Sequence, residues 1–259
     1  LPSHLGFLTA EFQEMTVRHW FLSLLLLSCQ LSALQAKYKT PAVAPELPSI
    51  VNFVENKGQW DSYIRYEAGI PGGKVFFEDG KLTYNLADLS HLHDDYFHCP
   101  TNRDLTPINY RGHAFQLVFE GASANPVISP SEKYPQYNNY FIGNDPSKWA
   151  GAVGIYGEIR YEGIYQGIDA IFYGQKDALK YDFVVSEGSD AQEIRLKYEG
   201  LDGIRIEDGD LVFPTSIGTF REMRPFAYQI IDGVQVGVEC HFVLENNVVT
   251  FAFPQDYRH

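Results

Sequence analysis

The chain has 259 residues, enough for one large or two small domains with a sizeable core. Its formal net charge is −13, and such a chain repels phosphate backbones, which argues against nucleic acid as a partner. The charge suits a soluble secreted protein, or one that collects divalent cations. Aromatics make up 15%, with 17 Tyr and 18 Phe, a composition that favours strands.

The first element is a targeting segment. Met15, Arg18 and His19 form a short basic region, followed by the apolar run WFLSLLLLS from Trp20 to Ser28. That run is too short to span a bilayer comfortably. Small residues from Ser32 to Ala36 offer a cleavage site after Ala36, so residues 15–36 read as a secretory signal peptide and residues 1–14 as sequence upstream of the true start. The competing reading takes Leu26-Leu27-Ser28-Cys29 as a lipoprotein box, although Leu at its second position fits poorly. Removing the signal leaves Cys99 and Cys240, a candidate disulfide in an oxidising compartment, with two separate thiols as the alternative.

Residues 37–49, with three prolines, read as an extended leader into a β-rich region over 50–259. Strands are expected over 50–54, 64–68, 74–77 and 81–86, with turns at Asn56-Lys57-Gly58 and Glu78-Asp79-Gly80. Residues 87–112 are polar and rich in His and Asp, and read as a long loop. A strand is expected over 113–120, a loop over 121–137, and a strand from Asn138 followed by a turn at Asp145-Pro146.

Residues 156–185 carry the clearest pattern. Ile168, Ala170 and Phe172 alternate with Asp169, Ile171 and Tyr173, and Leu179, Tyr181, Phe183 and Val185 alternate with Lys180 and Asp182. Period-two alternation around the turn at 174–177 predicts three consecutive strands. Further strands are expected over 193–198, 204–206, 211–214, 219–224, 227–231, 235–244 and 248–253. Asp232-Gly233 and Asn246-Asn247 read as hairpin turns. The sequence ends after a Pro-containing turn. These elements predict an all-β protein of sandwich type. Residues 77–84 echo residues 206–213, which would suit two related lobes over 50–149 and 150–259, although hairpins with Asp-Gly turns also resemble one another by chance.

Several clusters invite a chemical reading. His91, His93 and His98, with Asp94, Asp95 and Cys99, could ligate a transition metal, with His113 as a further candidate. The bland reading is a solvated polar loop. Asp169 and Asp182, with Glu158 nearby, could pair as acid and base in glycoside hydrolysis, against turn closure and surface pairing. Asp208, Asp210, Asn138, Asn139, Asn144 and Asp145 could offer oxygen to calcium, but turns use the same residues for backbone reasons. Trp60 and Trp149 could stack on a sugar ring or serve as packing anchors.

Three stretches then carry a family resemblance: Asn52 to Trp60, Asn139 to Trp149, and Tyr165 to Asp169 together with Leu179 to Val185. With Tyr198-Glu199-Gly200, Gly209-Asp210-Leu211 and residues 225–229, they resemble the N-terminal domain of large secreted Bacteroidetes-type surface proteins. Many of those carry PKD, Ig-like or SBBP repeats and a gliding-motility-associated C-terminal sorting domain for type IX secretion. The resemblance covers about residues 50–257 and implies an extracellular module, one more apolar strand beyond residue 259, and then repeat domains in a longer chain. It carries over no catalytic residue and no cofactor. The expectation is therefore a non-catalytic structural or adhesive module that meets a surface glycan or protein, its mature domain not inserted in a membrane. A carbohydrate-binding module is the alternative, and a glycan-acting enzyme comes third.

Overall fold

The computed structural model describes residues 4–14, 51–88 and 111–254. Apart from two short 3₁₀ turns, its regular elements are all strands, paired antiparallel, as the alternation predicts. The first strand, β1 (His4–Glu14), falls on residues that the sequence reads as lying upstream of the start. A meander follows, made of β2 (Phe53–Glu55), β3 (Tyr66–Ile70), β4 (Gly73–Phe77), β5 (Lys81–Ala87) and β6 (Gly112–Phe119), each strand antiparallel to the next. Next come β7 (Val127–Tyr140), the long β8 (Ala150–Tyr165), β9 (Ile168–Gln175) and β10 (Ala178–Val185). Strand β8 pairs along one edge with β7 and along the other with β2 and β9, which links the meander to the central hairpin.

Downstream lie β11 (Leu196–Glu199), β12 (Arg205–Glu207), β13 (Asp210–Thr215), β14 (Gly218–Glu222), β15 (Ala227–Ile231), β16 (Val234–Val238), β17 (His241–Glu245) and β18 (Val248–Ala252). Strand β11 joins the meander, pairing with β6 on one edge and β18 on the other. The tight connections obey local chemistry. Asp232-Gly233 and Asn246-Asn247 all have positive φ, as two-residue hairpins with the right-handed twist require.

The layers close on one aromatic core. Phe77 of β4 meets Phe172 of β9 edge-on at 5.3 Å, Phe119 of β6 meets Phe183 of β10 at 6.5 Å, and Phe183 meets Phe251 of β18 at 6.2 Å. Such edge-to-face pairs contribute about 0.5–1.5 kcal/mol each beyond their area burial. Buried tyrosines anchor backbone across the layers: Tyr161 donates to the Glu78 carbonyl at 2.8 Å and Tyr165 to the Arg195 carbonyl at 3.0 Å.

Three expectations change. Residues 121–137 are not all loop, because β7 occupies much of that span as an edge strand on β8. It is mostly exposed, holds Pro130 and Pro135, and pairs with register shifts, so it carries no apolar alternation to read. The expected strand over 235–244 is two strands, β16 and β17, separated at Glu239-Cys240. The echo between residues 77–84 and 206–213 does not extend to the neighbouring strands. Strand β3 lies beside β4, whereas β11 lies beside β6 and β18, and one core runs through residues on both sides of position 150. The two turns also differ: Asp208 and Gly209 have φ of 53° and 89°, while the Asp79-Gly80 turn has no left-handed residue.

Candidate functional site

The loop from β2 to β3 is organised by one side chain. The Asn56 amide group donates to the carbonyls of Asp61 (2.9 Å) and Ile64 (2.8 Å), and its oxygen accepts from the backbone N–H of Gly58 (2.9 Å) and Trp60 (3.3 Å). A short polar side chain that bonds nearby backbone in this way fixes a loop in place of a ladder. Gln59 adds a bond to the Glu55 carbonyl at 2.6 Å. The run from Asn56 to Trp60 is thus a self-capped turn, and it sets the position of Trp60.

Trp60 is half-buried and packs edge-on against Tyr140 at 5.5 Å, over a small apolar cluster of Val54, Ala150 and Val153. It also borders an open cleft of about 540 Å³ lined by Glu55, Asn56, Arg65, Tyr66, Asp79 and Ile128, among others. The polar groups of the cleft are held by one another. Arg65 donates two bonds to Asp79, at 2.7 and 2.9 Å, and this pairing pushes its guanidinium further above its ordinary value. Glu55 accepts from the Gly154 N–H at 2.7 Å and lies 3.4 Å from the Lys57 ammonium. Burial pushes the Tyr66 phenol up to about 12. The cleft thus offers fixed donors, fixed acceptors and an aromatic border, a lining suited to hydrogen-bonding a polyhydroxylated or peptide-like ligand.

Trp149 sits at the same end of the molecule, immediately before Ala150 of that small cluster. It caps a short 3₁₀ turn, Pro146–Lys148, whose first turn is closed by Asp145 accepting from the Ser147 N–H at 3.0 Å. Its indole N–H points to the Gly143 carbonyl at 3.4 Å, and its ring meets Phe141 edge-on at 5.9 Å. Phe141, Ile142 and Trp149 are exposed by 63%, 76% and 44%, so this loop presents a large apolar ridge to solvent.

Several of the other candidates find structural partners. Asp169 accepts from the Gly163 N–H at 2.7 Å and from Arg160 at 3.1 Å, and Asp182 accepts from the Tyr173 hydroxyl. Glu158 takes the Ser131 hydroxyl at 2.8 Å. Asp210 accepts from Arg221 and from the Arg224 N–H, and Asn139 from the Ala152 N–H. His91, His93, His98 and Cys99 lie outside the described residues, while Cys240 is half-buried and burial pushes its thiol up to about 12. His113 places Nδ1 3.1 Å from the Ser216 hydroxyl, and its buried Nε2 has no hydrogen-bond partner among the described residues. Among those residues no group of three or more His, Cys, Asp or Glu is arranged to hold a metal.

One group escaped the sequence reading. Glu222 of β14 is fully buried and accepts hydrogen bonds from the hydroxyls of Tyr181 and Tyr198, the latter at 2.9 Å. Burial pushes its carboxyl up to about 7, while the two phenols pull the other way. The sequence did hold a signal: Glu222 shares a strand face with the buried Phe220, at a position where alternation calls for an apolar residue.

The family model described as Domain of unknown function (DUF7948) matches residues 53–259. The chain belongs to this family. Its matched span begins at β2 and takes in both the Asn56–Trp60 turn and the Phe141–Trp149 ridge. No curated protein and no solved structure matches the chain.

Proposed function

We propose that this DUF7948 domain is a secreted, non-catalytic recognition module, an adhesive or structural unit at the N-terminal end of a longer bacterial surface protein of the Bacteroidetes type. The observation that carries the reading is the exposed ridge of Phe141, Ile142 and Trp149 next to the Trp60 cluster and its cleft. Large apolar side chains held out on a rigid all-β scaffold suit binding rather than core packing. The carboxylates that might have served as acid and base in glycoside hydrolysis are instead engaged with Arg160, Gly163, Tyr173 and Ser131. A carbohydrate ligand is the second reading, favoured by the aromatic border of a cleft whose other walls are polar.

Glycan arrays and adhesion to surfaces coated with candidate matrix proteins, run on the wild type and on W149A and F141A, test this reading. Saturable binding that falls at least about tenfold in either variant is expected, since loss of a central aromatic contact costs roughly 2 kcal/mol or more. Binding that survives both substitutions would remove the ridge from the proposal. Turnover of a glycan by the wild type would overturn the non-catalytic reading. N-terminal sequencing of protein recovered from the medium checks export separately: the expected first residue is Lys37.

A further inference from the structure

We propose that the solvent face of β4, β5 and β6 holds a second binding site, a trough that takes the pyranose rings of a neutral oligosaccharide. The trough is open, has a volume of about 520 Å³ and is lined by Tyr63, Phe76, Thr83, Asn85 and Gln116, with Glu78 and Lys81 also on its wall. That volume is in the range of ligand clefts. The trough shares no residue with the Phe141–Trp149 ridge, and of the lining of the Trp60 cleft it shares only Ile64. It therefore stands independently of the ridge.

Strand register builds the site. Val75 and Phe77 of β4, Leu82 and Tyr84 of β5, and Phe115 and Leu117 of β6 are buried, so alternation turns Phe76, Thr83 and Gln116 outward. Phe76 lies opposite Thr83, and Thr83 opposite Gln116, which puts a ring, a hydroxyl and an amide in one row across three strands. In the next row Asn85 lies between Lys74 and Ala114, and it is exposed. Tyr63, 57% exposed, adds a second ring from the segment before β3.

A sugar ring has an apolar CH face and a rim of hydroxyls that each donate and accept. Aromatic rings suit the first. Amides suit the second, because each carries donors and an acceptor side by side. Gln116 uses one N–H on the Thr83 hydroxyl oxygen, at 3.4 Å, which leaves its other N–H and its oxygen. Thr83 donates in turn to the buried Glu78 carboxylate at 2.6 Å, so the row is held in place from below. The charges of this face are paired: Lys81 lies 3.4 Å from Glu78, and Lys74 lies 2.8 Å from Glu67. The trough thus has no net charge with which to select an ion. Each of its strands is also paired along both edges, β4 with β3 and β5, β5 with β4 and β6, and β6 with β5 and β11. A peptide finds no open ladder here, and recognition falls to side chains, which favours a ligand dense in hydroxyls.

The test is titration calorimetry of the full chain with cellohexaose, xylohexaose, mannohexaose and maltohexaose. Saturable binding of at least one is expected, with affinity at least about tenfold lower in Y63A and in N85A. Both positions are exposed, and thermal midpoints equal to that of the wild type confirm that the variants are folded. A hyaluronan hexasaccharide, with a carboxylate on every second ring, should bind at least about tenfold more weakly than the best neutral hexaose, because nothing in the trough is free to pair its charge.

No binding of any neutral hexaose would overturn the proposal, and so would binding that survives both Y63A and N85A. If such binding is lost in W149A instead, the glycan belongs to the ridge, and the trough falls while the recognition reading stands. Hyaluronan that binds as tightly as the neutral chains would also overturn it. So would a peptide selected from a random library that depends on Tyr63 and Asn85 while the hexaoses stay silent. Adhesion that ignores F141A and W149A would remove the ridge and leave these titrations untouched.

Discussion

The two edges of β8 have opposite surroundings. Along one edge runs β9, and behind it β10, where Ile168, Ala170, Phe172, Leu179, Tyr181, Phe183 and Val185 are all buried. Along the other runs β7, mostly exposed, with Tyr137 near its C-terminal end out in solvent and the Phe141–Trp149 ridge beyond it. Both edges use the same backbone ladder. Their difference shows that pairing alone does not make a strand part of the stabilising core. Strands β9 and β10 hold the layers together, whereas β7 leads into a loop that stands out in solvent.

The largest test of that contrast is F172A against Y137A. Phe172 touches Phe77, Phe119, Tyr161 and Tyr181, and its truncation should cost about 3–5 kcal/mol in urea unfolding through the cavity it leaves. Y137A should fall within about 0.5 kcal/mol of wild type. Similar losses for both would erase the distinction between the two edges.

Next in size is the pH response of the buried side. The Glu222 carboxyl is raised from 4.5 to about 7 in the fold, with Tyr181, Tyr198 and Tyr84 around it. A raised folded value means that the native state binds the proton more tightly. The stability this contributes is fully present below pH 4.5, is lost as pH rises toward 7, and stays lost above it. The swing is about 3 kcal/mol. E222Q removes the titration, so the stability of wild type minus that of E222Q should fall by roughly this amount between pH 4.5 and 8. A difference that stays flat over that range would show that Glu222 remains ionised in the core.

A smaller effect is expected at the bond that joins β8 to the β4–β5 turn. Y161F leaves the Glu78 carbonyl without its buried donor and should cost about 1–2 kcal/mol by thermal unfolding. The smallest effect belongs to the exposed side. W149A should shift stability by no more than about 0.5 kcal/mol while it lowers ligand capture. A large loss of stability in W149A would make that residue a packing anchor like Trp60 and remove the ridge from the recognition surface.

The sequence by itself determined what local chemistry can determine. Alternation in residues 168–185 marked β9 and β10 with the correct inward residues, because strand side chains alternate with a period of two whatever the rest of the fold does. Asp232-Gly233 and Asn246-Asn247 marked their hairpins because those residues tolerate positive φ. The aromatic surplus gave the all-β class. Trp60 and Trp149 were legible as candidates by residue type, but their division into a packed ring and an exposed one was not.

What only the tertiary structure decided is which edges and faces meet. Strand β7 was hidden because solvent on both sides leaves no apolar period to read. The cage around Glu222 draws Tyr181 and Tyr198 from separate strands, and no spacing in the chain announces that they converge. The place of β1 between β10 and the β14–β15 edges joins residues 4–14 to residues near 180 and 220. Such contacts depend on how layers close around a shared core, a property of pairs of distant segments, whereas periodicity and turn propensity belong to each segment alone.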